Sequence, residues 1–251
     1  MEKRVWITGA GKGIGRAVAE RLAMEGNTVA VSARSIEDLE SLVSAFKDGP
    51  GKIVSYPLDV TDADAHRFVF ETIEKDLGSI DQVILNAGTH APTPSTNFDL
   101  NNVRRLINVN LLGVANGLAA IMPRFIERQA GRIAVVASVA GYSGLPSAAA
   151  YGATKAALIN MCEALRPELA ADGIILQVVN PGFVKTPLTD QNDFPMPFLM
   201  PVDVAAKRFV DGLKTDRFEI TFPRRFAAIL KMLRCLPYPL YFALTKKMVK
   251  R

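Results

Sequence analysis

The chain has 251 residues, 49% of them hydrophobic, which is enough for a large packed core and excludes a mainly disordered protein. The net charge of +5 arises at one end, because residues 220–251 hold eight basic side chains and no acidic ones. The remainder has 30 − 8 = 22 basic against 25 acidic residues, which argues against a nucleic-acid partner. Two cysteines exclude a disulfide framework and predict reduced thiols.

We predict neither a signal segment nor a membrane-spanning helix. The chain begins Met-Glu-Lys-Arg and enters its first apolar run at once, so no apolar leader is expected. The nearest approach to a spanning segment, Phe226–Leu244, is interrupted by two cations and two prolines. These features are typical of a cytoplasmic protein.

Short apolar runs alternate with longer amphipathic stretches along most of the chain. Strands are expected over Val5–Thr8, Thr28–Ser32, Ile53–Leu58, Gln82–Leu85, Ile133–Ala137, Ile175–Val179 and Phe218–Phe222, and helices over Gly13–Met24, Ile36–Phe46, Asp62–Leu77, Asn101–Glu127, Ala148–Ala170 and Val202–Leu213. Continuously apolar strands between helices predict one α/β domain, residues 1–223, with a doubly wound, seven-stranded parallel sheet of the Rossmann type. Helices should cover both faces of the sheet. A basic extension, residues 224–251, follows.

A glycine-rich segment, Thr8–Gly15, lies between the first strand and the first helix and reads Thr-Gly-Ala-Gly-Lys-Gly-Ile-Gly. The glycines permit a tight turn and close approach of the backbone to a pyrophosphate, and the helix N-terminus offers free N–H groups to the anion. A glycine-rich turn alone is weak evidence. Its position at the start of a βαβ repeat predicts a dinucleotide site.

The end of the second strand indicates which dinucleotide is bound. NAD sites usually place a carboxylate there to bind the ribose 2′-hydroxyl, and this chain has Ser32-Ala33-Arg34 instead. Arg34 can hold a 2′-phosphate, with Lys12 of the glycine-rich segment to help. The pattern favours NADP over NAD; the alternative is a solvated pair of surface cations.

A Tyr-x-x-x-Lys pair, Tyr151 and Lys155, lies in the fifth predicted helix, where the spacing puts both side chains on one face. Ser138 follows the fifth strand, at the sheet edge where open α/β sheets place their sites. A free tyrosine titrates near pH ~10, and a nearby ammonium is expected to lower that pKa. Ser138 can then hydrogen-bond a substrate oxygen while Tyr151 exchanges the hydroxyl proton.

With these motifs the sequence resembles the short-chain dehydrogenase/reductase family, in its branch of about 250 residues, from about Lys3 to Phe222. The resemblance implies a catalytic set of Asn110, Ser138, Tyr151 and Lys155, with Asn110 holding the lysine through a water. Together with Lys12 and Arg34, the implied cofactor-binding residues are Thr8, Gly9, Gly13, Ile14, Gly15, Asp59, Val60, Asn86, Ala87, Gly88, Tyr151, Lys155, Pro181, Gly182 and Thr186. One departure is Leu85, where many relatives have a second Asn.

The resemblance also implies the activity: NADPH-dependent reduction of a carbonyl, or oxidation of a secondary alcohol, with Tyr151 as general acid and base. It implies a homodimer or homotetramer, and no metal site is expected. The alternative is a catalytically silent NADP-binding regulatory protein, or one attached to a membrane. A silent protein has little support, because such proteins usually lose the Tyr, Lys or Ser.

The segment 187–201 carries more apolar side chains than an ordinary exposed loop: Phe194, Met196, Phe198, Leu199 and Met200. Two interpretations stay open. These side chains pack into the core, or they cover an apolar, lipid-derived substrate. His90, just past Asn86-Ala87-Gly88, is a weaker candidate for a substrate contact, and His66 is weaker still.

The basic extension is predicted to form an amphipathic helix that ends at Pro237-Tyr238-Pro239, before a short apolar piece, Leu240–Leu244. On a helical projection its apolar side holds Phe226, Ile229, Leu230, Leu233 and Leu236. Such a helix can lie on an anionic membrane, which would put the protein at the inner face of that membrane. It can equally pack on its own body or on a partner subunit.

Overall fold

The computed structural model describes residues 2–190 and 194–249. Some positions covered by the sequence predictions therefore lie outside the described residues: Met1, Gln191, Asn192 and Asp193 of the 187–201 segment, and Lys250 and Arg251 of the basic extension.

The predicted sheet is confirmed. Its strands are β1 (Arg4–Thr8), β2 (Thr28–Ser32), β3 (Lys52–Ser55), β4 (Gln82–Leu85), β5 (Gly131–Val136), β6 (Ile174–Pro181) and β7 (Glu219–Phe222). All pairings are parallel, in the order β3-β2-β1-β4-β5-β6-β7. The strand order reverses between β1 and β4, which leaves a crevice at their carboxyl ends, where ligands bind in doubly wound folds.

Helices cover both faces of the sheet. They are α1 (Gly13–Met24), α2 (Ile36–Ala45), α3 (Ala63–Leu77), α4 (Leu100–Leu106), α5 (Gly113–Glu127), α6 (Ala149–Ala171) and α7 (Val202–Leu213), followed by α8 (Arg224–Arg234) and α9 (Tyr238–Thr245). The buried apolar side chains of α1, α2 and α7 form one core layer, and those of α3, α5, α6 and α8 form the other. Trp6 of β1 is fully buried in the second layer.

The carboxyl ends of two strands differ from the prediction by two or more residues. β3 ends at Ser55 rather than at Leu58, although the N–H groups of Tyr56 and Leu58 still donate to the carbonyl oxygens of Val31 in β2 and of Ala33 directly after it. β6 continues two residues beyond Val179, to Pro181, because it still pairs with β7 there. This extension carries the Pro-Gly pair to the edge of the crevice.

The long helix predicted over Asn101–Glu127 is continuous but not uniform. A π-helical turn, Ile107–Leu112, joins α4 to α5. The extra residue in such a turn re-aims the side chains within it, which is why π-turns are common at functional sites. Asn110 lies in this turn and is fully buried.

Within residues 2–190 and 194–249, one helix, Leu100–Glu127, is long and apolar enough to cross a membrane by length and composition alone. It lies along the sheet and contributes Leu106, Leu118 and Phe125 to the fully or nearly fully buried core. A core helix passes the same test, so this finding carries no argument for a membrane span.

The basic extension folds as α8 and α9. The inner side of α8 packs on the body of the protein, with Phe226, Ala227 and Leu230 buried in the core. The buried stripe is narrower than the predicted apolar side, since Ile229 is 47% exposed. In α9, Tyr241 and Thr245 are buried, and the Tyr241 hydroxyl donates to the carbonyl oxygen of Gly144.

Candidate active site

A cleft of about 860 Å³ opens at the carboxyl edge of the sheet, over the crevice between β1 and β4. We distinguish two ends. The cationic end is formed by Lys12, Arg34 and Asp38, and the catalytic end by Ser138, Tyr151 and Lys155. The glycine-rich loop connects them.

The glycine-rich loop requires its glycines. Gly9 has φ +68°, and a Cβ on it would lie 2.6 Å from the Cα of Ala87. A Cβ on Gly15 would lie 2.3 Å from the carbonyl oxygen of Gly9. Either side chain would push the loop away from the cleft floor, so the close backbone approach that a pyrophosphate needs depends on these two positions.

The first turn of α1 is free to bind an anion. No side chain caps this helix, whereas Ser35 caps α2 and Asp62 caps α3. The first turn contains no acidic residue, and Gly13, Ile14 and Gly15 line the cleft. Unpaired N–H groups at a helix N-terminus favour a phosphate, so the residues present fit the pyrophosphate of a dinucleotide.

The cationic end combines two cations with a carboxylate. The Nζ of Lys12 lies 3.1 Å from Oδ2 of Asp38, while Arg34 is exposed and forms no ion pair within the described part of the chain. A hydrogen bond from the backbone N–H of Thr61 lowers the pKa of Asp59, which lines the cleft nearby, and the positive charge of Arg34 adds to this effect. The end of β2 lacks a carboxylate, as the sequence indicates, but α2 supplies one to the same pocket.

Thr8 and Asn86 tie the loops on the cleft floor together. The Thr8 hydroxyl accepts from the backbone N–H groups of Asn86 and Ala87, at 3.1 and 3.2 Å. The Asn86 amide donates to the carbonyl oxygens of Thr8 and Gly9, at 3.0 Å each. Thr8 does not line the cleft, so its hydroxyl serves the floor beneath a cofactor.

The catalytic end gathers Ser138, Tyr151 and Lys155. Ser138 lies two residues beyond the end of β5, with its Oγ 3.4 Å from the carbonyl oxygen of Pro181. Tyr151 and Lys155 are one turn apart in α6, and the Lys155 Nζ lies 5.8 Å from the centre of the Tyr151 ring. The Lys155 ammonium is buried and donates to the carbonyl oxygen of Val136, at 2.8 Å.

Burial controls the protonation states at this end. It lowers the pKa of Lys155 to about 8, because a buried ammonium loses hydration. Burial also raises the pKa of Tyr151, and the Ser138 hydroxyl opposes this rise. The net pKa of Tyr151 therefore lies above its ordinary value rather than below it as expected, because desolvation of the phenolate outweighs the opposing hydrogen bond with Ser138.

Asn110 acts on the loop after β4 rather than directly on Lys155. Its Oδ1 accepts from the N–H of Thr89 at 2.7 Å, and its Nδ2 donates to the carbonyl oxygen of Thr89 at 2.9 Å. A longer contact of 3.3 Å reaches the Thr154 hydroxyl, on the α6 turn that carries Lys155. Asn110 thus joins the π-turn, the Thr89 loop and α6, but it does not line the cleft.

His90, which the family pattern does not include, lies against Tyr151 at the catalytic end. The two rings meet edge to face, with centres 4.8 Å apart. Burial lowers the pKa of His90, and Arg105 adds to this effect, which favours a neutral imidazole. His66, in contrast, is fully buried against Trp6, away from the cleft.

The cleft brings together the predicted cofactor and catalytic residues, with the exceptions of Thr8 and Asn110 described above. Sequence reasoning missed four of its polar lining residues: Ser35, Asp38, Thr89 and Thr189. The signal for Asp38 was its place in the first turn of α2, which directs the side chain back toward the preceding loop. Thr89 directly follows Asn86-Ala87-Gly88.

The 187–201 segment divides into two parts. Pro187 and Leu188 line the cleft, and Met200 is buried in the core. Phe198 is half exposed and stacks on Phe226 of α8, with ring centres 5.7 Å apart. Phe226 also stacks on Phe183, at 5.7 Å, so the basic extension contributes to the aromatic wall beside the cleft.

Known proteins resemble this chain in sequence and fold. The short chain dehydrogenase family matches residues 3–194. An uncharacterized oxidoreductase of Myxococcus xanthus is 35% identical over 242 residues, 96% of each chain. A 3-oxoacyl-acyl-carrier-protein reductase of Thermotoga maritima is 38% identical over 185 residues, 74% of this chain and 75% of the relative. A short-chain dehydrogenase from Sphingobium yanoikuyae, solved with NADPH, has a TM-score of 0.82 at 26% identity, covering 99% of this chain and 97% of its own.

The family match covers well over half of the chain, and the Myxococcus relative covers nearly all of it. The sheet order, the uncapped α1 and the Ser138, Tyr151 and Lys155 cluster agree with this match. The chain therefore belongs to the short chain dehydrogenase family and is an NAD(P)-dependent oxidoreductase that acts on CH–OH and C=O groups.

Proposed function

We propose that this protein is an NADPH-dependent reductase of carbonyl compounds with an apolar chain, and that Tyr151 supplies the proton. The observation that carries the proposal is the catalytic end, where Ser138, Tyr151 and Lys155 line one cleft with the free N-terminus of α1. A bound nicotinamide would supply or accept a hydride at the substrate carbon.

Each catalytic residue has a separate task. The Ser138 hydroxyl donates a hydrogen bond to the substrate oxygen and holds it beside Tyr151. The Tyr151 hydroxyl gives its proton to that oxygen during reduction and takes it back during oxidation. Lys155, charged below its pKa of about 8, stabilises the phenolate that forms when the proton leaves.

Asn110 is assigned an indirect role. Both polar groups of the Thr89 backbone pair with the Asn110 amide, which fixes the loop that forms one wall of the cleft. The contact with Thr154 holds α6 in place relative to that wall. Within the catalytic set, three side chains are thus assigned to the reacting atoms: Ser138, Tyr151 and Lys155. Asn110 is assigned to positioning them.

NADP rather than NAD is supported by the two cations at the cationic end. Arg34 and Lys12 line the cleft beside Ser35, and α2 begins there. A guanidinium and an ammonium suit a 2′-phosphate dianion. The Sphingobium yanoikuyae relative binds NADPH, which agrees with this assignment.

The remaining cofactor contacts follow from the cleft lining. Gly9, Gly13, Ile14 and Gly15 would hold the pyrophosphate, and Asp59 and Val60 the adenine. The nicotinamide end would contact the rest of the predicted set: Asn86, Ala87, Gly88, Pro181, Gly182 and Thr186.

An apolar substrate is supported by the wall of the cleft. Val184 and Leu188 line it, and Phe183, next to Val184 in the chain, belongs to a stack of rings with Phe226 and Phe198. A relative named as a 3-oxoacyl-acyl-carrier-protein reductase acts on a carbonyl within a fatty-acyl chain. The common chemistry is a ketone or aldehyde on an alkyl chain.

A screen of NADPH oxidation over methyl ketones, aldehydes and 3-oxoacyl thioesters of graded chain length tests this function. We expect kcat/KM to rise with chain length, because each buried methylene contributes about 0.8 kcal/mol. NADH should support a lower rate on the same substrates. Turnover restricted to small polar carbonyls would contradict the apolar substrate, and nucleotide binding without any turnover would favour a silent regulatory protein.

We further propose that residues 224–251 contact an anionic membrane through the outer side of α8 and α9. The inner side of α8 is buried in the body, so truncation would damage the core. The outer side keeps large exposed apolar residues: Ile229, Met232, Tyr238, Leu240, Phe242 and Leu244. The segment contains basic residues and no acidic ones, although Lys231 pairs with Glu219 of β7; this charge pattern suits anionic lipid and repels a second copy of the same surface.

Co-sedimentation with phosphatidylglycerol vesicles tests the membrane contact. We expect the wild type to pellet, and Met232→Ser/Phe242→Ser to stay in solution with unchanged carbonyl reduction. Phe68→Ser is the matched control, because Phe68 is an equally exposed phenylalanine on α3. Failure of the wild type to pellet at low salt would reject the membrane contact and leave α8 as a structural helix.

We also propose a homodimer or homotetramer. Leu100, Ile107 and Leu112 are exposed apolar residues on the α4–α5 helix, away from the basic extension. Light scattering of the purified protein would measure the assembly. A monomer at micromolar concentration would contradict it.

A further inference from the structure

Asp38 places a carboxylate at the cationic end of the cleft. It lies in the first turn of α2, where its N–H donates to the Ser35 hydroxyl at 3.1 Å. Its Oδ2 lies 3.1 Å from the Nζ of Lys12. The Asp38 side chain is 28% exposed and that of Lys12 is 66% exposed. The carboxylate is therefore the anchored member of the pair, and the ammonium is the one free to move.

The glycine-rich loop keeps Asp38 in place. A Cβ on Gly11 would lie 3.1 Å from the Cβ of Asp38 and 3.3 Å from the Cβ of Ala33. The loop backbone thus packs directly against the aspartate and the end of β2.

When a phosphorylated ligand binds at the cationic end, the two cations there attract its phosphate and the Asp38 carboxylate repels it. Lys12 and Arg34 provide two positive charges, and Asp38 cancels one of them. A phosphate monoester carries about −1.5 to −2 charges near neutral pH. A 2′-phosphate that reaches Lys12 comes within a few ångströms of the Asp38 carboxylate, where like charges repel. A ribose 2′-hydroxyl is neutral and meets no such repulsion.

We propose that Asp38 is a specificity-determining residue that restrains the preference for NADPH over NADH by competing with the 2′-phosphate for Lys12. The inference rests on the proposed function, because it concerns the same cleft. Arg34, which has no ion pair among the described residues, holds the phosphate regardless of Asp38. Asp38 lowers the contribution of Lys12 and so keeps the cleft accessible to both nucleotides.

Nucleotide binding to Asp38→Asn tests the proposal without any need for a substrate. Dissociation constants for NADPH and NADH are measured by fluorescence titration on the wild type and the variant. Removing one nearby negative charge should lower the Kd for NADPH by about three- to tenfold. The Kd for NADH should stay within about twofold, which also shows that the variant is folded.

Glu37→Gln is the matched control. Glu37 is the neighbouring acid in the same helical turn, but its side chain pairs with Ser35 and does not line the cleft. It should change neither constant. A second variant, Lys12→Met, should weaken NADPH binding. In the double variant Lys12→Met/Asp38→Asn, the gain in NADPH affinity from Asp38→Asn should be smaller.

Three outcomes separate the hypotheses. An NADPH affinity that is unchanged in Asp38→Asn, or shifted equally by Glu37→Gln, overturns the role of Asp38. A weaker NADPH affinity in Asp38→Asn also overturns it, since the carboxylate would then orient Lys12 toward the phosphate. If the wild type binds neither nucleotide, the proposed function itself fails.

Discussion

The catalytic end and the cationic end of the cleft each contain a lysine, but this lysine is buried at the catalytic end and exposed at the cationic end. At the catalytic end Lys155 is 3% exposed and Ser138 is 8% exposed, and burial shifts the pKa of the lysine to about 8. At the cationic end the Lys12 side chain is 66% exposed and is paired with a carboxylate. We propose that the buried catalytic end controls where the proton resides, and that the exposed cationic end determines whether a 2′-phosphate is accepted.

Buried and exposed charges are therefore expected to act on a nicotinamide cofactor in different ways. A buried charge interacts strongly with its surroundings, so its removal should affect the chemical step and the pH dependence. An exposed charge is screened by water and salt, so its removal should affect ligand affinity moderately. The variants below test whether the two ends of the cleft differ in this way.

The largest effect is expected from Lys155→Met at the catalytic end. Removing the ammonium leaves the phenolate of Tyr151 without a cation, in a site where burial already raises the phenol pKa. We expect kcat to fall by about 10²- to 10⁴-fold. Steady-state kinetics at pH 7 measure this, and a change confined to KM would contradict the assignment.

The same variant should alter the pH dependence of stability. The pKa of Lys155 is about 8 in the folded protein and 10.5 when unfolded, so between these values the unfolded chain binds more protons. The wild type should therefore gain stability relative to Lys155→Met as pH rises from 8 to 10.5, by about 3 kcal/mol. Urea unfolding of both proteins at several pH values measures the difference. A constant difference would mean that Lys155 titrates normally.

A smaller effect is expected from Arg34→Ala at the cationic end. The variant removes a charge-assisted contact to the 2′-phosphate, which is worth about 1.5–3 kcal/mol. The Kd for NADPH should rise by about 10- to 100-fold, with the Kd for NADH little changed. High salt should shrink the effect, because Arg34 is exposed. Equal weakening of both nucleotides would place Arg34 elsewhere than on the 2′-phosphate.

The smallest effect is expected from His90, whose ring meets the Tyr151 ring edge to face. His90→Phe keeps a ring against the tyrosine, while His90→Ala removes it. We expect kcat to fall by about two- to tenfold in the alanine variant, a loss in the range of one aromatic contact. His90→Phe should retain most of the kcat that is lost in His90→Ala. A large loss in both variants would assign the imidazole a direct contact with substrate.

Sequence patterns predicted the sheet and the glycine-rich loop because both depend on local spacing. Apolar runs define the strands, and a loop between β1 and α1 has few other conformations that fit its glycines. Asp38 was not predicted, because its approach to Lys12 depends on how α2 returns across the loop. The direction of the Tyr151 pKa was predicted wrongly, since spacing gives the distance to Lys155 but not the loss of hydration.

The roles of Asn110 and the basic extension show the same limit. The resemblance marked Asn110 as a helix residue that holds Lys155 through a water, but it did not indicate the π-helical turn from which Asn110 pairs with Thr89. The helical projection placed Ile229 on the apolar side of the extension, but only a narrower stripe of α8 reaches the core and Ile229 is exposed. Contacts between distant segments decide both cases.

The most direct test of the account is Tyr151→Phe, which removes one hydroxyl and keeps the ring beside His90 and Lys155. NADPH affinity and carbonyl reduction are measured on the same preparation. We expect Tyr151→Phe to have an NADPH Kd within about twofold of the wild-type value and a kcat that is lower by about 10²- to 10⁴-fold. Retained turnover in Tyr151→Phe would contradict proton transfer by Tyr151 and, with it, the assignment of the catalytic end.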